Sequence, residues 1–331
     1  MKKMLGLIIV FLFLCSLTIF AEGQKESGVK DAGSWPNRSV KVIVPYGAGG
    51  GADITVRLIT KWLEKEMGQP VIVANITGGS GTIGFSAIAD AKPDGYTFGY
   101  GDCNMSNGQL LFEGVKYDAA SFTPIAQFAN DPHILIVSKK SGIKTLSDLI
   151  DKVKAHPDSV TFGLGGAWSS HDFLRIKLEN QLGLKFKRMP FQGGAAAVTA
   201  VAGGNCDVAV PFVSEALAQI QAGNVIALAI SSDKRNTIVP SIPTMREQGL
   251  DFSHAMWRAL VGPANIPEEI VVKLDAMLAK VFNNPEYQKE VALAGSTMEY
   301  MSYDRFKNYF YTSHDNYNKL ITAALKSNTD K

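Results

Sequence analysis

Four stretches of this 331-residue chain gather glycine with small or hydroxyl residues: Tyr46 to Asp53 (YGAGGGAD), Thr77 to Gly84 (TGGSGTIG), Gly163 to His171 (GLGGAWSSH) and Gln192 to Ala195 (QGGA). Glycine lets a backbone N–H come close to a ligand, and the start of a following helix adds donors at its positive end. Such loops can hold a carboxylate or another anion without any Lys or Arg. One glycine-rich turn alone is more often a plain connection. Four of them, each where a strand hands over to a helix, point to a shared cleft beyond the carboxyl ends of strands, where open α/β sheets bind ligands.

Other chemistries have less support. Gly79-Ser80-Gly81-Thr82-Ile83-Gly84 is a formal G-x-G-x-x-G followed 18 residues later by Asp102, the pattern of a dinucleotide-binding turn. It lies on the second strand–helix unit, however, and the first unit has its own glycine loop. His133, His156, His171, His254 and His314 show no metal-ligand spacing such as H-x-x-x-H, and the sequence has neither a G-x-S-x-G elbow nor a P-loop lysine. No metal or cofactor is therefore expected. The catalytic alternative is an exported enzyme using the same cleft, with His171 and Asp53 as its acid and base; His171 beside Ser169 and Ser170 also reads as a serine–histidine nucleophile site. Neighbours at a helix start seldom face one another as a nucleophile and its base must. A capping serine, a ligand-facing histidine and a loop-fixing aspartate explain these residues more cheaply.

The elements that must position the loops alternate. Short β-branched runs at 40–45, 71–75, 96–100, 134–138, 160–163, 185–190, 208–211 and 225–230 predict strands with helices between them, an α/β protein with mainly parallel sheets. Ile54, Leu58, Ile59, Trp62 and Leu63 share one side of a helix expected at 52–67, which Gly68 closes. Thr145-Leu146-Ser147-Asp148 is a capping box for a helix ending near His156-Pro157. Beyond Pro267 a helical tail is expected at 268–282, 285–294 and 302–325. The length suits about two domains: a first lobe of 35–138 with 250–331 and a second of 139–249, crossing near Ser138 and Gly249.

Lys2 and Lys3, an apolar run from Met4 to Phe20 and the small-to-polar change after Ala21 have the order of a secretory signal. Residues 1–21 are read as a cleaved signal peptide and 22–34 as a polar leader, giving a periplasmic protein. The alternatives are an uncleaved anchor, although the run falls short of the ~20 residues that cross a bilayer, and lipidation at Cys15, although Leu12-Phe13-Leu14 lacks the small residue a lipoprotein peptidase favours. Charge is balanced, with 33 Lys and Arg against 31 Asp and Glu, so no nucleic-acid partner is expected. Cys103 and Cys206 read as small buried residues rather than halves of a bridge.

Several pieces occur together in a specific order: Val44-Pro45-Tyr46 through Gly49-Gly50, with Asp53 and Arg57; Gly68-Gln69-Pro70-Val71; Lys92-Pro93-Asp94-Gly95-Tyr96-Thr97; Phe191-Gln192-Gly193-Gly194; Pro240 to Thr244; and Met256-Trp257-Arg258. In this the chain resembles the substrate-binding proteins of tripartite tricarboxylate transporters, the Bug family of extracytoplasmic solute receptors. The resemblance implies a two-lobed periplasmic-binding-protein fold of type II, a Venus flytrap that closes on a small organic carboxylate and delivers it to integral-membrane permease subunits, acting as a monomer. The ligand-binding set it implies with the loops is Tyr46, Ala48, Gly49, Gly50, Asp53, Ser80, Gly81, Thr82, Asn104, Ser106, Trp168, Ser169, Ser170, His171, Gln192, Gly193 and Phe212. The chain departs from the family at Gly47, at Ile76-Thr77 and at Trp168. A tryptophan there either narrows the cleft mouth or packs on its own lobe.

Overall fold

The computed structural model describes residues 34–294 and 297–329; the expected signal peptide and nearly all of the polar leader lie outside the described residues. The strands are β1 (Val40–Val44), β2 (Val71–Asn75), β3 (Thr97–Asp102), β4 (Phe122–Pro132), β5 (Ile134–Ser138), β6 (Thr161–Leu164), β7 (Lys187–Pro190), β8 (Val208–Ala209), β9 (Val225–Ile230), β10 (Ala255–Pro263) and β11 (Met298–Met301). They form two sheets flanked by helices, one in the order β11-β4-β10-β3-β1-β2 and one in the order β7-β6-β8-β5-β9. The α/β, two-lobed architecture is the expected one.

The parallel part is narrower than the alternation implied. β1 runs parallel to β2 and β3, and β6 to β7 and β8, where strand–helix units follow one another. β10 is antiparallel to both β3 and β4, β4 to β11, and β5 to β8 and β9. β4, β10 and β11 were not foreseen because they carry no simple signal. β4 holds Pro124, Gln127 and Asn130, and β10 holds Arg258, all within largely buried strands; the Gln127 and Asn130 amide N–H groups donate to Glu299 of β11, and Arg258 pairs with Asp131 of β4.

The crossings lie closer to the first sheet than expected. β5 pairs in the second sheet, so the first passage falls at His133, not after Ser138. Leu250 and Phe252 pack in the second sheet's core with Leu135, Val137 and the helix Leu146–Ala155, so the return falls at His254, not near Gly249. Ser231 ties the two passages together. Its hydroxyl accepts the His133 N–H at 2.9 Å, and its carbonyl accepts the His254 N–H at 2.9 Å.

The caps read from the sequence hold up, but Ile54, expected on the apolar side of the helix Gly51–Met67, is exposed, and that helix buries Val56, Ile59, Leu63 and Met67. Gly68 closes the helix Gly51–Met67 at φ 65, its N–H reaching the Glu64 carbonyl at 3.0 Å. Thr145 and Asp148 form the reciprocal capping box. Cys103 and Cys206 are both buried and free. No helix among the described residues is long and apolar enough to cross a membrane.

One close approach sets the position of the second glycine loop. The helix Thr82–Ala89 presses its backbone against the end of β1 at Gly84, where a Cβ would lie 2.5 Å from the Ile76 oxygen and 2.6 Å from Pro45 Cα. Both neighbours are backbone and cannot rotate away. Gly84→Ala is therefore expected to cost about 1–3 kcal/mol by overpacking, read as a lowered midpoint in urea denaturation. An unchanged midpoint would show that the helix can shift at no cost.

Candidate functional site

A cavity of about 610 Å3 opens where the two sheets face one another, lined by Tyr46, Ser80, Asn104, Gly165, Gly166, Ala167, Trp168, Ser169, Pro190, Phe191 and Gln192. Each of these residues follows the carboxyl end of β1, β2, β3, β6 or β7 or, like Pro190, ends one, as the topology of open α/β sheets dictates. The lining contains neither Lys, Arg, Asp nor Glu. Its chemistry is that of hydroxyls, amides and backbone N–H groups, next to the starts of the helices Thr82–Ala89 and Ser170–Leu182.

The first wall is built on a buried carboxylate. Asp102 ends β3 and is 1% exposed. It accepts the Tyr46 hydroxyl at 2.9 Å and the Asn104 N–H at 2.8 Å, and the Asn104 amide donates to the Tyr46 oxygen at 3.0 Å. Burial pushes the Asp102 carboxyl up to about 6, even though the Asn104 N–H, the Tyr46 hydroxyl, the nearby Arg258 and Tyr100 all favour its charged form. Arg258 is itself buried, ion-pairs with Asp131 and donates to the Tyr100 hydroxyl at 3.2 Å.

The second wall is built on Asp172, which is fully buried. It accepts the Trp168 N–H at 2.9 Å and pairs with Arg175 at 2.8 Å and with Arg188, whose guanidinium lies 5.6 Å from the Trp168 ring centre. Ser169 donates to the Gly166 carbonyl at 2.8 Å. Ser80 at φ 56 and Trp168 at φ 58 both hold a left-handed backbone, and both line the cavity, one on each wall. This conformation costs a residue with a Cβ about 1–2 kcal/mol, so the surroundings must impose it; such strain gathers at ligand sites.

Of the residues singled out from the sequence, Tyr46, Ser80, Asn104, Trp168, Ser169 and Gln192 line the cavity. Gly81 and Thr82 start the adjoining helix and are buried, and Gly193 caps the helix Gly194–Gly203. Ala48, Gly49 and Gly50 form the exposed turn before the helix Gly51–Met67. Asp53 is buried beneath that turn, accepting the Gly49 N–H at 2.8 Å, Arg57 at 2.9 Å and the Asn75 amide at 2.9 Å. Burial alone would raise its carboxyl, but these bonds outweigh it and hold the group at about 2. The side chain of Ser106 lies outside the described residues.

Ser170, His171 and Phe212 do not face the cavity. The Ser170 hydroxyl lies 3.3 Å from His254 Nε2, and His171 packs 5.1 Å from His133 and 4.9 Å from Phe212, with Glu215 3.5 Å from its Nε2. Successive helix residues turn by about 100°, so once Ser169 faces the ligand space the next two are carried round toward the crossings. The sequence reading missed Gly165–Ala167, Pro190 and Phe191 as lining, although the glycine loop contained the first three. It missed Asp102 as an anchor, having met it only as a ribose-binding residue of the dinucleotide alternative.

The family model described as "Tripartite tricarboxylate transporter family receptor" matches residues 55–325. The chain belongs to this receptor family. The UPF0065 protein of the TAR-I ttuE-ttuC' intergenic region of Agrobacterium vitis is 31% identical over 265 residues, 80% of this chain and 77% of that protein. Among solved structures, Rpa4515 of R. palustris with adipate superposes with TM-score 0.76 at 26% identity, covering 88% of this chain and 98% of that one. MatC of Rhodopseudomonas palustris with bound malate gives TM-score 0.73 at 27% identity, covering 87% and 100%. The protein is thus a solute-binding receptor and not an enzyme.

Asp102 gives the receptor a measurable pH dependence. Its carboxyl titrates near 6 when folded against 3.8 ordinarily, so the cost of keeping it ionised is present in full above the folded value and is relieved as pH falls toward the unfolded one. Relative to Asp102→Asn, the wild type should gain about 1 kcal/mol of stability between pH 8 and pH 5, measured by urea denaturation of both proteins. A difference independent of pH would remove this role.

Proposed function

We propose that the receptor captures a small organic carboxylate, of the di- or tricarboxylate type, in the cavity between its two sheets. One observation carries this reading: a cavity without ionised side chains, walled from both sheets by neutral donors set at helix starts. A carboxylate is well served by such donors, because charge-assisted hydrogen bonds from N–H groups are short and strong and the helix ends add favourable field. The family assignment and the adipate and malate held by two similar receptors support the same ligand class.

On this reading one carboxylate sits at Ser80, Gly81 and Thr82 with Asn104 and Tyr46 beside it, and the contacts that close the site come from Gly166 to Ser169 and Gln192. The lobes turn about the passages at His133 and His254, so affinity is set by what closure gains over the open state. Trp168 limits the length of ligand admitted. The protein works as a periplasmic monomer, exported by residues 1–21, and hands its ligand to the permease subunits of a tripartite transporter.

Titration calorimetry with malate, adipate and citrate tests the site. Ser169→Ala and Asn104→Ala, one on each wall, should each weaken the bound acid by roughly tenfold, the loss of one hydrogen bond to a charged group. Gly81→Val should abolish binding, since a Cβ there meets Phe85 at 2.9 Å and Tyr46 at 3.3 Å. Binding that ignores all three substitutions would place the ligand elsewhere.

A further inference from the structure

A second cavity, of about 350 Å3, shares no lining residue with the first. It lies between the helix Ser170–Leu182, the return passage at 253–255 and the helix Tyr303–Thr329, and is lined by Lys177, His254, Tyr309, Thr312, Ser313 and Tyr317 among others. Lys177 is the cation of this space. Its Nζ lies 3.1 Å from His254 Nδ1 and 5.6 Å from the Tyr317 ring centre, and among the described residues no carboxylate pairs with it. The acidic residue of the lining, Asp233, is engaged by Arg246 at 3.2 Å. Lys177 is half-buried, and an ammonium held partly away from water without a counter-charge is costly; burial lowers its pKa.

We propose that this cavity is a second binding site, for a small oxyanion held by Lys177 and the hydroxyls of Thr312 and Tyr309. An oxyanion supplies the missing counter-charge and takes hydrogen bonds from groups on the two sides of the cavity, which belong to different sheets' helices. A short chain of contacts leads from Lys177 toward the second wall of the first cavity. Lys177 donates to His254 Nδ1, which leaves Nε2 to carry the proton and to donate to the Ser170 carbonyl at 3.0 Å, one residue from Ser169.

The test uses inorganic phosphate as probe, with calorimetry on the full-length protein at constant ionic strength so that the general stabilising action of the salt cancels. Saturable binding is expected in the wild type and in Ser169→Ala, which alters the first cavity only. Lys177→Met should weaken it at least roughly tenfold and Lys177→Arg should restore it. Thr312→Glu, an exposed position where folding is not at stake, should abolish it by placing a carboxylate in the cavity. Absence of saturable binding, equal binding by Lys177→Met, or loss in Ser169→Ala alone would overturn the proposal. The last outcome would mean that phosphate enters the first cavity, and it would leave the carboxylate reading intact.

Discussion

A carboxylate taken out of water at the end of β3 organises the first wall of the site. Asp102 can stay buried only if it is supplied with donors, and the Tyr46 hydroxyl and the Asn104 backbone supply them. Both residues are fixed in the cavity as a consequence. The Tyr46 carbonyl is held in turn by the Asn75 amide at 3.0 Å, which also reaches Asp53, so the ends of β1, β2 and β3 are cross-linked through polar groups. Asp172 does the same on the second wall by holding the Trp168 N–H. Each wall is thus rigid because one acid inside it must be satisfied, while the cavity surface itself is left without charge.

The two walls are joined where the chain passes twice between the sheets. His133, His171, His254 and Phe212 fill that junction with rings whose centres lie 4.6 to 5.1 Å apart along the contacts of His133. Burial lowers the pKa of His133 and His254, which keeps them neutral and lets them pack as aromatic rings rather than repel as cations. Ser231 binds both passages and holds them together.

How much of this could be read from the sequence follows from which forces act locally. Glycine at a strand–helix junction is a local signal, and the loops at Ser80, at Gly165 to Ser169 and at Gln192 were legible for that reason, as were the Gly68 and Thr145 caps. β4 and β10 were not, because a strand covered on both faces shows no alternation, and the partner that satisfies Arg258 lies 127 residues away at Asp131. Ser170 and His171 were misplaced for a geometric reason: the residue types suit a ligand, but the helix turn carries them toward the crossings. Asp53 was legible as the residue that fixes its turn, since it stands beside a helix start. Asp102 was not legible as the anchor of the cavity wall, because the Tyr46 hydroxyl it accepts lies 56 residues away.

A crystal structure of the protein grown with malate or adipate tests the central claim most directly. The account predicts a carboxylate within hydrogen-bond reach of Ser80 to Thr82 or Asn104 on one side, with the rest of the acid contacted by Gly166 to Ser169 or Gln192 on the other, and no Lys or Arg in contact. An acid bound only against a cationic side chain, at Lys177 or on the surface, with the first cavity holding solvent, would contradict it.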